Sequence, residues 1–207
     1  PFDQNGPVTK DTYTLFTDLY ELTMVQAYLA EGMNQEATFS LAVRVLPTQR
    51  NYLIACGLDE VLTYLESLSF SKNDINYLRS LNKFSSDFLD WLGAFLFSGD
   101  VFAMPEGTPV FGNEPILEIV APLPQAQLVE TFVINQIHLQ TLIASKAARV
   151  VAAAQGRDVV DFGARRIHGT GTAIQAARAC FIAGASATSN LAAGKEFGLP
   201  VVGTMAH

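Results

Sequence analysis

The sequence is poor in cysteine and in long apolar runs. Its 207 residues include two cysteines, Cys56 and Cys180, which lie in apolar surroundings and form no CxxC pair. We therefore expect both thiols to be free and the protein to be cytoplasmic. The N-terminus lacks the basic and apolar regions of a secretory signal. No apolar stretch is long enough to span a bilayer, so we expect no membrane association.

Basic residues are scarce as well. Lys and Arg number 13 against 20 Asp and Glu, which gives a formal net charge of −7. This acidic balance argues against a nucleic-acid-binding face. The three histidines do not have metal-ligand spacing, and no HExxH motif or carboxylate cluster accompanies them. We therefore predict no protein-bound metal.

One segment departs from this acidic balance. Between residues 146 and 178 there are six basic residues and two acidic ones. The local positive excess favours a pocket for an anionic small molecule. The alternative interpretation is a set of solvated helix faces, which we favour for Arg149, Arg157 and Arg178. The six basic residues are Lys146, Arg149, Arg157, Arg165, Arg166 and Arg178.

The first part of the chain has the periodicity of a mixed α/β domain. A helix is predicted from Asp18 to Gly32, with Asp18 and Glu21 as a capping-box pair. Alternating apolar residues over 37–46 predict a half-buried strand. The proline-rich stretch 100–122 predicts short strands and turns. Further helices are expected over 57–68, 73–81 and 85–97.

We place a domain boundary near Pro124. Residues 1–124 are predicted to form an N-terminal α/β domain, and residues 125–207 a second domain. The pattern over 125–155 predicts one long helix, which at ~1.5 Å per residue could reach from one domain to the next.

Three short apolar runs follow, at 159–162, 185–188 and 201–204, each leading into polar residues. Alanine-rich, helix-forming stretches separate them. Short strand, polar tip and helix in repetition are typical of βα units and a parallel sheet, whose chemistry lies at the C-terminal strand ends. The residues at these ends are Arg165, Arg166, His168, Ser189, Asn190, Thr204 and His207.

Eight stretches together resemble nicotinate phosphoribosyltransferase, a member of the type II phosphoribosyltransferase family, in the family's order and over almost the whole chain. TDLYELTM and GTMAH favour the nicotinate branch, and a related nicotinamide or quinolinate phosphoribosyltransferase is the alternative. The stretches are TDLYELTM (17–24), FSLAVRVLPTQRNYLIACGL (39–58), EGTPVFGNEPILEIVAPL (106–123), QLVET (127–131), LIASKAARVV (142–151), VVDFGARRIHG (159–169), ATSNLAAG (187–194) and GTMAH (203–207).

The resemblance implies an α/β fold in which an N-terminal sheet domain is followed by the first βα units of an irregular barrel, incomplete in this chain. It implies a homodimer in which one subunit's N-terminal domain helps close the other's barrel. It also implies the reaction of nicotinate with phosphoribosyl pyrophosphate, giving nicotinate mononucleotide and pyrophosphate. The resemblance further implies that ATP hydrolysis is coupled to this reaction, as a step of NAD salvage. Mg²⁺ is expected to enter with the substrate phosphates.

The same resemblance assigns roles to three residues. His207, in GTMAH, corresponds to the histidine that ATP phosphorylates; a neutral imidazole is a good nucleophile near neutral pH. Tyr20 corresponds to the tyrosine that stacks on the nicotinate ring, across the dimer interface. Thr204 corresponds to a residue near the substrate pyridine, where its hydroxyl can bond the carboxylate.

The other candidates are assigned from their chemistry. Guanidinium groups bind carboxylates and phosphates bidentately, so Arg165 and Arg166 are assigned to nicotinate or to phosphoribosyl pyrophosphate. A structural ion pair is the alternative for one of them. His168 is assigned to phosphate or to His207, with a supporting role as the alternative. Ser189 and Asn190 are expected to hydrogen-bond substrate.

A complete barrel of this type takes about 250 residues, so we expect the chain to be the N-terminal part of a longer protein and inactive alone. A different possibility is a non-catalytic partner subunit that dimerises and donates Tyr20. An aldolase-like barrel would need a lysine at a strand end, whereas Lys146 and Lys195 fall in helical stretches.

Overall fold

A computed structural model describes the backbone of residues 10–205 and the side chains from Tyr13 to Met205. The described chain packs into two compact units, each assembled from separated segments. The first contains residues up to Ser40, Asp59–Phe102 and Glu118–Asn135; the second contains Leu41–Leu58, Ala103–Leu117 and the residues from Gln136 onward. The domain boundary near Pro124 stays a prediction.

The described residues form both helices and strands, interspersed along the chain, so the mixed α/β class is confirmed. In chain order the elements are a 3₁₀ helix (Lys10–Leu15), α1 (Leu19–Ala30), β1 (Glu36–Ala42), β2 (Leu53–Ile54), α2 (Leu58–Ser67), α3 (Lys72–Ser80), α4 (Ser86–Gly93), β3 (Asp100–Ala103), β4 (Pro109–Val110), β5 (Pro115–Pro122), α5 (Leu123–Leu128), α6 (Glu130–Ala154), β6 (Val160–Asp161), a second 3₁₀ helix (Ala164–Arg166), α7 (Thr170–Ile182), β7 (Ala187–Thr188) and α8 (Leu191–Phe197). Within residues 10–205 the strands form three small sheets, with orders β1-β5-β3, β2-β4 and β6-β7, and none is closed into a barrel.

In the first unit, α1 packs against α5. Leu22 and Val25 of α1 and Leu128 of α5 are buried. The ring of Phe132, in the first turns of α6, stacks on Tyr64 of α2 with centroids 3.7 Å apart. This apolar core holds the start of α1 and the start of α6 in one packed unit.

The predicted capping box at Asp18 is wrong. Asp18 is the N-cap of α1, but its side chain makes no capping bond, and Glu21 is fully buried. The carboxylate of Glu21 instead accepts hydrogen bonds from the backbone N–H and the hydroxyl of Thr131, at 3.0 and 2.6 Å. Because the carboxylate of Glu21 is buried, it needs hydrogen-bond donors from within the protein. The start of α6 supplies them, so Glu21 does not cap α1.

The same contact explains why the predicted single helix over 125–155 is interrupted. In a continuous helix the N–H of Thr131 would donate to the carbonyl of Gln127. Here that N–H donates to Glu21. The chain therefore breaks at Val129 (φ −96°, ψ −1°) between α5 and α6. A tertiary hydrogen bond thus replaces one bond of the helix.

In the second unit, the polar side of α6 is buried against β2. The backbone N–H of Ile54 donates to the Ser145 hydroxyl (2.8 Å), and that of Cys56 donates to the Thr141 hydroxyl (3.2 Å). Strand β2 pairs antiparallel with β4, with Leu53 opposite Val110. Side-chain hydroxyls on α6 thus satisfy one backbone donor of this short strand and one of the residues that follow it.

Two arginines that we assigned to solvated helix faces are engaged in structural contacts, so that interpretation is wrong for them. Arg149 donates to the carbonyl oxygens of Ser145 and Tyr52, both at 2.7 Å, and lies over the Tyr52 ring. Arg178 of α7 forms a bidentate pair with Glu106, at 2.9 and 2.6 Å. Tyr52 and Glu106 lie in other segments of the chain, which the local pattern could not reveal.

Glu106 also accepts hydrogen bonds from the backbone N–H groups of Gly57 and Leu58, at 2.6 and 3.1 Å. It therefore links the β3–β4 loop to the start of α2 and to α7. Burial would raise the pKa of Glu106, but the bonds from Arg178 and from these N–H groups, together with the Arg178 charge, outweigh burial and lower the pKa. The carboxylate is therefore held in its ionised form.

We predict that Glu106→Gln lowers the free energy of unfolding by about 2 kcal/mol at neutral pH, because Arg178 loses its charged partner. A lowered pKa in the folded state gives stability that is present above the unfolded value of about 4.3 and is lost as pH falls. The difference between wild type and variant should therefore shrink below about pH 4. Urea titrations at several pH values measure this, and a pH-independent difference would contradict the ion-pair account.

Gly57, whose N–H donates to Glu106, allows a second test of the packing in this region. Its φ is +106°, and a Cβ there would lie 2.7 Å from the backbone carbonyl oxygen of Gln136. We expect Gly57→Ala to cost about 3 kcal/mol of unfolding free energy, because backbone strain and a backbone clash add. Gly32 is a matched control, since its φ is +68° but nothing lies within 4 Å of the position that a Cβ would take. Gly32→Ala should cost about 1 kcal/mol; equal losses in the two variants would rule out the clash.

Candidate functional site

The candidate site lies in the second unit, at one edge of a small parallel sheet. Strands β6 and β7 pair in parallel, with Asp161 opposite Thr188, and Val201 forms a parallel bridge with Thr188. The N–H of Ser189 donates to the Asp161 carbonyl (2.9 Å), and that of Val202 donates to the Thr188 carbonyl (3.0 Å). Parallel segments leave the sheet at the same edge. The predicted parallel arrangement of the three apolar runs is therefore confirmed.

Asp161 ties the first two of these segments together. Its Oδ1 accepts from the Gly163 N–H and its Oδ2 from the Thr188 hydroxyl, both at 2.8 Å. The Thr188 hydroxyl in turn accepts from the Asn190 N–H at 3.1 Å. This positioning role was not predicted from the sequence, where Asp161 counted only as a charge. The sequence signal for this role was the place of Asp161 at the end of a strand, two residues before a glycine.

The first polar segment carries the candidate cationic groups. Arg165 and Arg166 lie in the short 3₁₀ helix that follows β6, and His168 comes just before α7. All three residues are exposed. Gly169, with φ +98°, makes the turn from this segment into α7. The segment thus places two guanidinium groups at the surface beside the sheet edge, where an anion can reach them.

A surface cavity of about 370 Å³ lies beside this segment. It is bounded by the 3₁₀ segment and by the N-terminal ends of α7 and α8. Most of its lining is apolar, and Asn190 and Thr170 supply polar side chains. Such a lining suits a small, largely apolar group that makes a few directed hydrogen bonds. The lining residues are Ala164, Ile167, Gly169, Thr170, Ala173, Ile174, Asn190 and Ala192.

The second polar segment is built into the fold. Asn190 is the N-cap of α8, where its Oδ1 accepts from the N–H groups of Ala192 (3.1 Å) and Ala193 (3.3 Å). Its Nδ2 donates to the Ala173 carbonyl of α7 at 3.3 Å. Ser189 is half-buried beside it. The amide of Asn190 therefore fixes α8 relative to α7, and the predicted substrate contacts of Ser189 and Asn190 stay predictions.

The third polar segment follows Val201. Thr204 is exposed, and the backbone bond from Val202 to Thr188 directs this segment to the same edge as the other two. His207 lies outside the described residues, so its predicted phosphorylation stays a prediction. The roles predicted for Arg165, Arg166, His168 and Thr204 also stay predictions.

Tyr20 lies in the first unit, in the first turn of α1, with 45% of its surface exposed. Its hydroxyl donates to Oε1 of Glu130 at 2.8 Å. This hydrogen bond, with lesser contributions from burial and from nearby carboxylates, raises the pKa of Tyr20. The hydroxyl is therefore held as a neutral donor. Glu130 is a further residue that the sequence pattern did not single out.

Three other properties of the described residues concern metal ligands, membrane-spanning helices and cysteines. Between residues 10 and 205, no group of three or more His, Cys, Asp and Glu side chains is arranged to hold a metal ion. In the same range, none of the helices combines the length and apolar character needed to cross a bilayer. Cys56 and Cys180 are free thiols.

Known proteins resemble this chain in both sequence and fold. The profile of the nicotinate phosphoribosyltransferase (NAPRTase) N-terminal domain matches residues 15–138. Nicotinate phosphoribosyltransferase pncB2 of Mycobacterium tuberculosis is 58% identical over 193 residues, which cover 93% of this chain and 42% of that protein. The nicotinate phosphoribosyltransferase of Bacillus subtilis is 42% identical, over 95% of this chain and 40% of that protein.

Solved structures share the fold of this chain. The crystal structure of human nicotinic acid phosphoribosyltransferase superposes with a TM-score of 0.85 and 30% identity, over 92% of this chain and 39% of the human one. Nicotinate-nucleotide pyrophosphorylase from Pyrococcus furiosus shares the fold, with a TM-score of 0.79 at 23% identity. The chain thus spans 42% and 40% of the lengths of the two curated relatives above. Because the domain profile matches more than half of its residues, the chain belongs to the nicotinate phosphoribosyltransferase family.

Proposed function

We propose that this protein acts as a nicotinate phosphoribosyltransferase as the N-terminal part of a longer enzyme, and that these residues alone are inactive. The reaction joins nicotinate to phosphoribosyl pyrophosphate, forms nicotinate mononucleotide and pyrophosphate, and is coupled to ATP hydrolysis in NAD salvage. The observation that carries the proposal is 58% identity to a protein named for this activity, over 93% of the chain. The parallel sheet edge with Arg165 and Arg166 beside it supplies a physical setting for the chemistry.

The βα units of the second unit are proposed to be the start of an α/β barrel. Their parallel pairing and their strand–helix alternation support this, because closed barrels of this class repeat the same unit. The relatives' additional length would supply the remaining strands. Such strands would pair beside the short segments that end at Val201 and would complete the site.

The reaction requires the protein to orient the two substrates and to stabilise the charge of the leaving pyrophosphate. The pyridine nitrogen forms a bond to the anomeric carbon while the bond to pyrophosphate breaks, and the leaving pyrophosphate takes the electron pair. Arginine forks bind carboxylates and phosphates strongly. We assign Arg165 and Arg166 to the nicotinate carboxylate or the phosphates, and Thr204 to the carboxylate. His168, Ser189 and Asn190 complete the proposed substrate-binding set.

His207 is proposed to carry the coupling to ATP. Its imidazole nitrogen would attack the terminal phosphorus of ATP, with ADP as the leaving group, and water would later cleave the phosphohistidine. A neutral imidazole can do this near neutral pH. Before that hydrolysis, the negative charge of the phosphohistidine would reorganise nearby arginines. Mg²⁺ would accompany the phosphates of ATP and of phosphoribosyl pyrophosphate.

We also propose a homodimer in which Tyr20 is presented to the partner's site. Other apolar side chains in and just before the first turns of α1 are also exposed, namely Phe16, Leu19 and Met24. Exposed apolar side chains close together in the chain favour association. A cytoplasmic location is proposed from the two free thiols, since cysteines remain reduced in that compartment.

The test uses the complete protein encoded by the gene, supplied with nicotinate, phosphoribosyl pyrophosphate, ATP and Mg²⁺. We expect nicotinate mononucleotide, and acid-labile phosphate on the protein from labelled ATP. Nicotinamide or quinolinate in place of nicotinate should give at least about tenfold less product, about 1.4 kcal/mol of discrimination. Turnover of either in preference to nicotinate would favour the related phosphoribosyltransferases.

His207→Asn should abolish the acid-labile phosphate and reduce ATP-stimulated turnover by at least about tenfold. His138→Asn is the matched control, because His138 lies exposed within α6 and should leave labelling unchanged. Labelling of His207→Asn at the wild-type level would contradict the proposed phosphohistidine. If the unchanged complete protein is stable but shows no turnover, the result would instead favour the non-catalytic partner subunit.

A further inference from the structure

Tyr20 is held by its hydroxyl to a carboxylate whose own orientation is restrained. Oε1 of Glu130 accepts from the Tyr20 hydroxyl, and Oε2 accepts from Nε2 of Gln127, both at 2.8 Å. Gln127 is only 4% exposed, so its amide has little freedom. Because each carboxylate oxygen has its own donor, the plane of the Glu130 carboxylate is set from both sides.

The backbone end of Tyr20 is fixed by the next residue. Glu21 is fully buried and accepts both the N–H and the hydroxyl of Thr131. Its second oxygen accepts from the Thr17 hydroxyl. Consecutive residues of α1 therefore bind consecutive residues at the start of α6. This double contact sets the register between the two helix starts, and it brings Glu130 within reach of the Tyr20 hydroxyl.

The ring of Tyr20 lies between its hydroxyl, which is bonded to Glu130, and its backbone, which is fixed through Glu21. This ring remains open to solvent. An exposed tyrosine on a helix normally samples several rotamers, and ordering it on binding costs side-chain entropy. Here the hydroxyl is tethered while 45% of the residue's surface stays exposed. Such a ring is a preorganised flat surface for a second aromatic ring. Glu130 is also the first residue of α6, where the helix dipole favours its negative charge.

We infer that Glu130, supported by Gln127, is a positioning residue that holds the Tyr20 ring ready to stack on the pyridine of the substrate. Glu130 acts through Tyr20 and makes no substrate contact of its own. The inference rests on the proposed function, because it takes Tyr20 as the ring that meets nicotinate. It adds a specificity-determining element that lies outside the sheet edge described above.

The kinetic test uses the complete protein with four variants: Glu130→Ala, Glu130→Gln, Tyr20→Phe and the double variant Tyr20→Phe/Glu130→Ala. Glu130→Ala should raise the KM for nicotinate about tenfold with a smaller effect on kcat, since one charge-assisted hydrogen bond is lost. Glu130→Gln keeps one acceptor oxygen for the Tyr20 hydroxyl but loses the charge, so it should raise KM less than Glu130→Ala does. In the Tyr20→Phe background, Glu130→Ala should have no further effect, because the two residues act as one unit.

Glu118→Ala is the matched control. Its carboxylate accepts from the Ser40 hydroxyl at 2.7 Å, so the variant loses a similar bond that does not involve Tyr20. Its KM for nicotinate should equal that of wild type. A purely structural role for Glu130 would raise KM equally in the Tyr20 and Tyr20→Phe backgrounds, and that result would overturn the inference.

A second readout does not depend on turnover. In tyrosine-labelled protein, the carbon-13 resonance of the Tyr20 ring should report a bonded hydroxyl, and Glu130→Ala should move its pKa down towards the ordinary value of about 10. An unchanged Tyr20 resonance and pKa in Glu130→Ala would also overturn the inference. No turnover of nicotinate by the unchanged protein would overturn the proposed function, and the stacking role with it. Turnover without coupling between Tyr20 and Glu130 would overturn this inference alone.

Discussion

The parallel pairing of β6, β7 and Val201 is the constraint on which the candidate site depends. Parallel segments that pair in this register deliver their following residues to one edge. A slip of one residue would turn every side chain to the opposite face. Asp161 opposes that slip, because its two oxygens bind the Gly163 N–H and the Thr188 hydroxyl at once. The strands are only two residues long, so these side-chain bonds matter more here than in a longer ladder.

Local pattern was enough to predict most elements of the fold. Short apolar runs bounded by polar residues indicated β6, β7 and the segment at Val201, apolar periodicity indicated α2, and alanine-rich composition indicated α7. What the pattern could not show were contacts between distant segments. Glu21 has the spacing of a capping residue, but it binds Thr131, 110 residues away. The break at Val129 follows from the same contact. Arg178 has the spacing of a solvated helix residue, but it pairs with Glu106, 72 residues earlier.

The candidate site was predictable to a similar degree. The position of Arg165, Arg166 and Thr204 after parallel strand segments follows from the order of apolar and polar residues. Asn190 was predicted to hydrogen-bond substrate, but its side-chain amide caps the N-terminus of α8. The neighbouring residues Ser189 and Leu191 do not indicate that role. The carboxylates that organise the two units, Asp161 and Glu106 in one and Glu130 in the other, were missed. Their importance lies in which donors they meet after folding, and a sequence does not state that directly.

Amide hydrogen exchange at the sheet edge tests the central claim most directly. The N–H groups of Ser189 and Val202 donate to the carbonyl oxygens of Asp161 and Thr188 only in the parallel register. We predict that both amides are protected in the native protein, and that Asp161→Ala reduces the protection of Ser189 more than that of an amide within α6. Exchange of Ser189 and Val202 at the rates of unstructured peptide would contradict the parallel register and the site built on it.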